Sequence, residues 1–498
     1  TRCTVAHLLL VVALGGNERD MLALGPFSCL HFLLSLLLLC SPLVLSLQND
    51  EGIGGLPVNH DYIDVRRRVD RMTKENSTHL TTFFTTDDLN ISFSCEIEQF
   101  RLTEYSEEFT ASCFISYASK APRLLAYTVD RPVSLLLPPQ NVTTLPMTLG
   151  AIVDFSITLK PEQLGLAYVL IYASPLNSTA DYEPLLVSGF RILILRKSGI
   201  VDRIFRIGLI ILLFVVSFLM GCELDIDILR KHLRKPIGPV IGFSCQFILM
   251  PAIALALAKL CPISPEFGFG LFVIGSAPGG GASNVWTRLL GGDLNLSITM
   301  TLISSLAALG MIPLLLLTLG NLLNPLSVGR LPYGMITVQI LYIFLPIAGS
   351  LLLRRIRPSL ADKLRLGVRP TALIFLLYVV IFGSVAYLPI YRLMARYPLL
   401  LVAGATLPYV GFLLGFIFAR LLCRPWPVVT AIAIETGVQN SGVAILILIN
   451  AMPQPEGDMG AIMPIIVALM TPLPLLCAFL VHSLVSLVKR KKREDVPN

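Results

Sequence analysis

The sequence predicts an all-α polytopic membrane domain of about nine transmembrane helices, two of them broken, preceded by an extracellular β-sandwich-like domain. Three observations predict this. The 498-residue chain is 54% hydrophobic and only 14% charged, with a mean hydropathy of +0.75, a balance that a water-soluble core of this size does not need. Beyond residue 200 apolar runs of about 20 residues follow one another, each long enough to cross a hydrocarbon layer of roughly 30 Å. Before that point the chain is polar, alternating and rich in turn residues.

Taken in order, residues 1–20 precede the first methionine and read as a gene-model extension. Residues 21–47 run from Met21 through an apolar stretch to a small-residue exit, as a secretory signal peptide does; a retained signal anchor is the competing reading. Residues 48–200 carry short alternating segments such as ISFSCEI, FTASCFISYA, AIVDFSITL and AYVLIYA between Pro, Gly and Asn turns, which predicts an antiparallel sandwich. The glycosylation sequons at Asn76, Asn90, Asn141 and Asn177 all fall in this stretch, which places it outside the cell or in a lumen. Most of the ten cysteines lie in apolar runs, where a thiol acts as a small hydrophobe. Cys95 and Cys113 lie among polar strands and are expected to pair in an oxidising setting.

Residues 201–488 form the membrane domain, with spans near 204–222, 237–260, 267–290, 296–318, 333–353, 371–390, 399–422, 428–450 and 462–486. An odd number of crossings from an outside domain leaves the C-terminus, with its basic tail 489–498, in the cytoplasm. Arg230 to Lys235, Arg354 to Arg369 and Lys489 to Arg493 then all fall on the cytoplasmic side, and Arg392 and Arg396 dissent. The net charge of +7 is thereby explained by topology signals beside apolar runs, not by a nucleic-acid partner.

The third span, GLFVIGSAPGGGASNVWTRLL, and the eighth, which contains AIAIETGVQNSGVAILILIN, are interrupted by glycines and polar groups. Non-helical backbone at membrane depth survives only where it is buried in protein or lines a wet cavity. Each broken span is the next-to-last of its half, the pattern of an inverted-repeat transporter with its site at the midplane. Pro278, Gly279, Gly280 and Gly281 mark the first hinge, and Gly437 and Asn440 the second. Close helix packing through small residues is the plainer reading of the PGGG run.

Glu435 decides between them. An acid at the centre of a span costs about 2.5–3.5 kcal/mol on insertion scales and needs a proton, a counter-charge or a cation. No Lys or Arg lies mid-span elsewhere, and Lys259, near a span end, reads as snorkelling to the interface. Oxygen donors for a small hard cation stand in the right places. They are Ser283 and Asn284 at the first break, Ser297 and Thr301 on one face of the next helix, Glu435 and Gln439 at the second break, and the lone amide Gln246. A Ser or Thr among them could instead bond its own helix backbone.

At RKPIGPVIGFSCQFILMP, GSAPGGGASNVWTRLLGGDLNLSITMT and ETGVQNSG the chain resembles the bile acid:sodium symporter family (solute carrier family 10 type), over about Arg203 to Lys489. It looks most like the orphan members with a long glycosylated N-terminal domain, not the hepatic and intestinal carriers with short N-termini. The resemblance implies a panel domain, a core domain holding two crossing broken helices, and two sodium sites. The first would use Ser283, Asn284, Ser297, Thr301 and Glu435. The second would use Gln246, Glu435, Gln439 and backbone carbonyls near Thr436 and Val438. Some bile acid carriers have an acid where this chain has Asn295, two residues after Asp293, so gating from that side is expected to differ.

These readings point to a sodium-coupled symporter of an organic anion, bile acid or steroid-conjugate-like, working by alternating access in the lipid bilayer, with Na+ as the co-transported ion. The alternative is a receptor or adhesion protein whose ectodomain binds an extracellular ligand on a transporter-derived scaffold. An enzyme is not expected, because the site has no His or Cys nucleophile arrangement.

Overall fold

The computed structural model describes most of 69–197 in separate segments, residues 199–223, 236–323, 333–368 and 397–494, and scattered positions between, including several from 370 to 385. The expected leader at 1–47, most of the span at 371–390, and Asn76, Asn141 and Asn177 lie outside the described residues.

Among the described residues eleven strands form two sheets: β1 Thr73–Glu75, β2 His79–Thr86, β3 Leu89–Glu96, β4 Arg101–Thr103, β5 Phe109–Ser119, β6 Arg123–Val129, β7 Leu135–Leu136, β8 Leu145–Met147, β9 Ile152–Pro161, β10 Gly165–Pro175 and β11 Leu185–Leu195. One sheet has the order β1-β2-β3-β5-β9-β7 and the other β4-β11-β10-β6-β8. Phe93 of β3 stacks on Phe190 of β11 with ring centroids 6.2 Å apart, joining the two sheets. The pairing is antiparallel except where β4 runs parallel to β11, a departure from the all-antiparallel expectation. A three-residue strand contributed from early in the chain to the edge beside β11 carries no alternation long enough to announce its direction. Leu164 to Ile171 are all buried, so β10 is covered on both faces and reads as a continuous apolar run. Cys95 stands directly opposite Cys113 in the β3–β5 register, and Cys113 is disulfide-bonded. Asn90 lies in β3 opposite Thr85 and Ala118.

The rest is helical. The helices are α1 Ile200–Glu223, α2 Ile237–Ser244, α3 Met250–Leu260, α4 Pro265–Gly275, α5 Ala282–Leu289, α6 Leu294–Thr318, α7 Tyr333–Ile356, α8 Pro358–Leu364, α9 Pro398–Leu421, α10 Trp426–Gly437, α11 Ser441–Ala451, α12 Glu456–Gly460, α13 Ile462–Met470 and α14 Pro472–Glu494. Among the described residues four continuous helical stretches are long and apolar enough to cross a membrane: Ile237–Leu260, Leu294–Leu323, Pro398–Leu421 and Glu456–Leu484. Two shorter apolar helices, Pro265–Gly275 and Ser441–Ala451, belong to the two interrupted segments.

Two packed groups can be distinguished. α1 lies along α7 and α8, whereas α4 packs on α3, α11, α12 and α13, and α9 on α10 and α13. The main apolar core joins the two groups: Phe205, Leu209 and Leu213 of α1 and Ile347 of α7 are buried in it with Phe272, Ile274, Ala444, Ile447, Ile462 and Ile466. The seam between the groups runs where α7 meets α6 and α11.

Candidate functional site

Both expected interruptions are present. α4 ends at Gly275 and α5 resumes at Ala282; α10 ends at Gly437 and α11 resumes at Ser441. The two gaps cross each other and pair. Gly279 and Gln439 form an antiparallel bridge, in which Gly280 N–H donates to the Val438 carbonyl at 2.9 Å and Asn440 N–H to the Pro278 carbonyl at 2.9 Å. Backbone groups freed from the helices thus satisfy one another where water is scarce. The approach requires glycine. A Cβ on Gly280 would lie 2.7 Å from the Gln439 carbonyl oxygen, and one on Gly279 would overlap Oε1 of Glu435. The Asn440 side chain then caps α11, accepting the Val443 N–H at 3.2 Å.

Glu435, 2% exposed, is in the last turn of α10 and faces the first break. It accepts hydrogen bonds from Ser283 Oγ at 2.6 Å, Thr301 Oγ1 at 2.7 Å and Ser297 Oγ at 3.3 Å. Ser297 Oγ is also 2.9 Å from Asn284 Oδ1. Ser283, Asn284, Ser297, Thr301 and Glu435 therefore form one network, drawn from three helices that meet at the crossing. Asn284 is its only half-buried member; the other four are buried. Among the described residues no Arg or Lys forms an ion pair with Glu435.

Gln246, Thr436, Val438 and Gln439 gather on the other side of the crossing. Gln246 Nε2 donates to Gln439 Oε1 and to the Ala277 carbonyl, both at 2.6 Å. Gln439 Nε2 donates to the Thr436 carbonyl at 2.8 Å. Gln246 Oε1 is buried with no hydrogen-bond partner among the described residues, an acceptor left over inside the protein. The Glu435 hydrogen bonds just described all run to the first group, and the Val438 carbonyl is engaged by Gly280. Asn295 is exposed in the first turn of α6, while Asp293 caps that helix by accepting the Leu296 N–H at 3.1 Å.

Three features of the site were not anticipated. Thr287 is fully buried and donates to Ser297 Oγ at 3.3 Å, and Ser304 Oγ accepts the Gly279 N–H at 3.2 Å. Both continue helical stripes already in view, at i+4 from Ser283 and i+3 from Thr301. Gln246 itself is aimed by a single π-helical turn, Cys245–Leu249, between α2 and α3. Pro251 has no N–H to offer the carbonyl of Phe247, and the extra residue in this turn re-registers the helix so that Met250 N–H reaches Cys245.

The arrangement offers carboxylate, hydroxyl and amide oxygens, the donor set of a hard cation, around one buried acid. A profile of the sodium bile acid symporter family matches residues 210–388. The ileal sodium/bile acid cotransporter of Oryctolagus cuniculus is 33% identical over 245 residues, 49% of this chain and 70% of that protein. The chain belongs to the sodium bile acid symporter family. The hepatic sodium/bile acid cotransporter of Homo sapiens is 30% identical over 255 residues, 51% of this chain and 72% of that one. The P3 protein of Mus musculus is 33% identical over 259 residues, and there the match spans 52% of this chain and 54% of the relative, about half the length of each. Membership and the run of apolar helices make this chain a multi-pass membrane protein of a symporter family.

Proposed function

We propose that this protein is a sodium-coupled symporter of an organic anion, bile acid or steroid-conjugate-like, that works by alternating access. The observation that carries the reading is Glu435: a buried carboxylate of the second break with no cationic partner among the described residues, surrounded by hydroxyl and amide oxygens of the first break and of α6. One sodium ion would bind among Ser283, Asn284, Ser297, Thr301 and Glu435. A second would bind beside Gln246, Gln439 and the carbonyls near Thr436 and Val438, where Gln246 Oε1 is a buried acceptor to spare.

The physical logic is electrostatic. The α4 and α10 C-termini bring partial negative charge to the crossing, and the N-termini of α5 and α11 bring about half a positive charge each. Cations and an anionic substrate group are thereby favoured at neighbouring points. These side chains bond one another across the crossing, and a bound sodium ion would replace those bonds and tie the two breaks together. The group holding the crossing would then rock against α1, α7 and α8, driven by a membrane potential worth about 2.3 kcal/mol per charge per 100 mV. In this reading the chain crosses the bilayer nine times. The strand-rich region lies outside with its sequons and a Cys95–Cys113 cross-link, and the basic tail lies in the cytoplasm.

The test is thermal stability of the purified full-length chain in sodium and in potassium, beside tracer uptake of steroid sulfates and bile acids in cells. Sodium is expected to raise the melting temperature of wild type and not of Glu435→Gln. Equal stability of wild type in both salts, with uptake indifferent to sodium, removes the mechanism.

A further inference from the structure

Away from the crossing, the strand-rich region meets the helices through a buried set of charges that ion binding does not use. Arg196 follows β11, and its side chain is 2% exposed. It pairs with Asp202 in the first turn of α1, and its Nε lies 3.6 Å from Asp458 Oδ2 on α12. Arg206, one turn further along α1, pairs with the second Asp202 oxygen at 3.0 Å. Glu104, just beyond β4, accepts the Lys197 N–H at 3.1 Å and lies close enough to Arg196 and Asp458 to feel both charges. Burial pushes the Glu104 carboxyl above its usual range, opposed by the Lys197 and Leu164 amides and by Arg196. Leu164, in the turn between β9 and β10, is buried in the same apolar cluster as Phe205 of α1 and Phe267 of α4.

What matters is which bodies these charges join. Asp202 and Arg206 ride on α1, which packs along α7 and α8. Asp458 rides on α12, which packs on α4, α11 and α13 in the group that carries the crossing. α12 follows α11 after four residues, so it moves with the second half of the broken span. Arg196, held by the strand-rich region, bridges the seam.

We propose that Arg196 is the bolt of an ionic latch, by which the strand-rich region clamps the crossing-bearing helices to α1 and so gates the seam on its own side of the membrane. Its coupling to sodium rests on the symporter reading; the clamp itself does not. Sliding α12 away from Arg196 strands Asp458 as a buried carboxylate, and its Oδ1 already has no hydrogen-bond partner among the described residues. A half-open seam is therefore penalised: the latch is either closed and dry or open and hydrated. This is the two-state element that a gate needs. It also gives the strand-rich region a mechanical role, since Glu104, Leu164 and Arg196 all come from that region or its exit.

The test labels Leu164→Cys with a maleimide in the purified full-length protein in lipid nanodiscs, reading modification at residue 164 by mass spectrometry. Glu107→Cys, at an exposed position, is the reference. Residue 164 is expected to react at least about tenfold more slowly than residue 107, and Asp458→Asn to remove most of that protection. Replacing potassium by sodium is expected to change the rate at 164 several-fold with Glu435 present and not in Glu435→Gln. Equal rates at 164 and 107, or an Asp458→Asn chain that stays protected, overturn the clamp. A sodium-indifferent rate in a protein that sodium still stabilises overturns the gating role and leaves the symporter reading intact. Absence of any sodium stabilisation removes that reading and the coupling, while acceleration by Asp458→Asn still upholds the clamp. If Leu164→Cys does not fold, amide exchange at 456–460 decides instead: Asp458→Asn must speed it with exchange at 276–284 unchanged, and an unchanged rate at 456–460 overturns the clamp.

Discussion

The two breaks meet in one backbone bridge and differ in length and in chemistry. The first, between α4 and α5, contributes small residues and hydroxyls: Pro278 and Gly279 to Gly281 make room, and Ser283 and Asn284 supply oxygens. The second, between α10 and α11, contributes the charge and most of the amide chemistry through Glu435, Gln439 and Asn440. Because the breaks cross as a short antiparallel bridge, each supplies what the other lacks, and neither half forms a site alone. In the proposed symporter this division would put the burden of ion selectivity on one acid and the burden of fit on the glycines.

The largest expected effect attacks the fit. Gly280→Leu places a side chain against the Gln439 carbonyl, 2.7 Å from where its Cβ would be. Overpacking alone costs about 1–3 kcal/mol, and the bridge hydrogen bonds are lost besides. No sodium stabilisation should remain, as read by melting temperature in the two salts. Next comes the charge. Glu435→Gln is expected to weaken sodium binding by roughly 100-fold or abolish it, the upper range for disturbing an ion site. Its melting temperature in potassium should not fall, because the variant removes an uncompensated buried charge. A large fall in potassium would mean that Glu435 is a structural partner and not an ion ligand.

Thr301→Ala and Ser283→Ala each remove one hydroxyl from Glu435. Bonds to charged groups are worth about 1.5–3 kcal/mol, so a tenfold or larger rise in the sodium concentration for half-maximal stabilisation should follow. If Ser283→Ala, on the first break, proved silent while Glu435→Gln did not, the two breaks would not share one ion. Gln246→Leu should make the sodium dependence less steep and leave tight binding at the Glu435 network nearly intact, separating the two sides of the crossing. The smallest effect is expected from Thr287→Val, which deletes one neutral hydrogen bond to Ser297. About 0.5–1.5 kcal/mol predicts a shift of a few-fold, measurable by sodium titration of the same stability signal.

Much of this site was legible along the chain because its causes are local. Hydrocarbon penalises an unpaired carboxylate wherever it falls, so Glu435 declared a need for partners. The 3.6-residue helical period put Ser297 with Thr301 on one face, and the glycine runs marked where helices stop. The same logic reached the alternating strands of β3 and β5, in whose register Cys95 is paired with Cys113.

Other features are set by residues far apart in the chain. That Gly279 bridges Gln439, that the described Glu435 bonds go to α5 and α6 hydroxyls and not to Gln439, and that β4 lies parallel to β11 are all choices made by packing. Arg196 and Asp458 each look like ordinary charges near a segment end, and only the docking of the strand-rich region on α12 buries them together. The sequence by itself determined which groups cannot face lipid, since the solvent applies that rule residue by residue. The tertiary structure alone decided which of them meet, since long-range pairing is chosen by shape and by mutual satisfaction of buried polar groups, and neither is written in any local pattern.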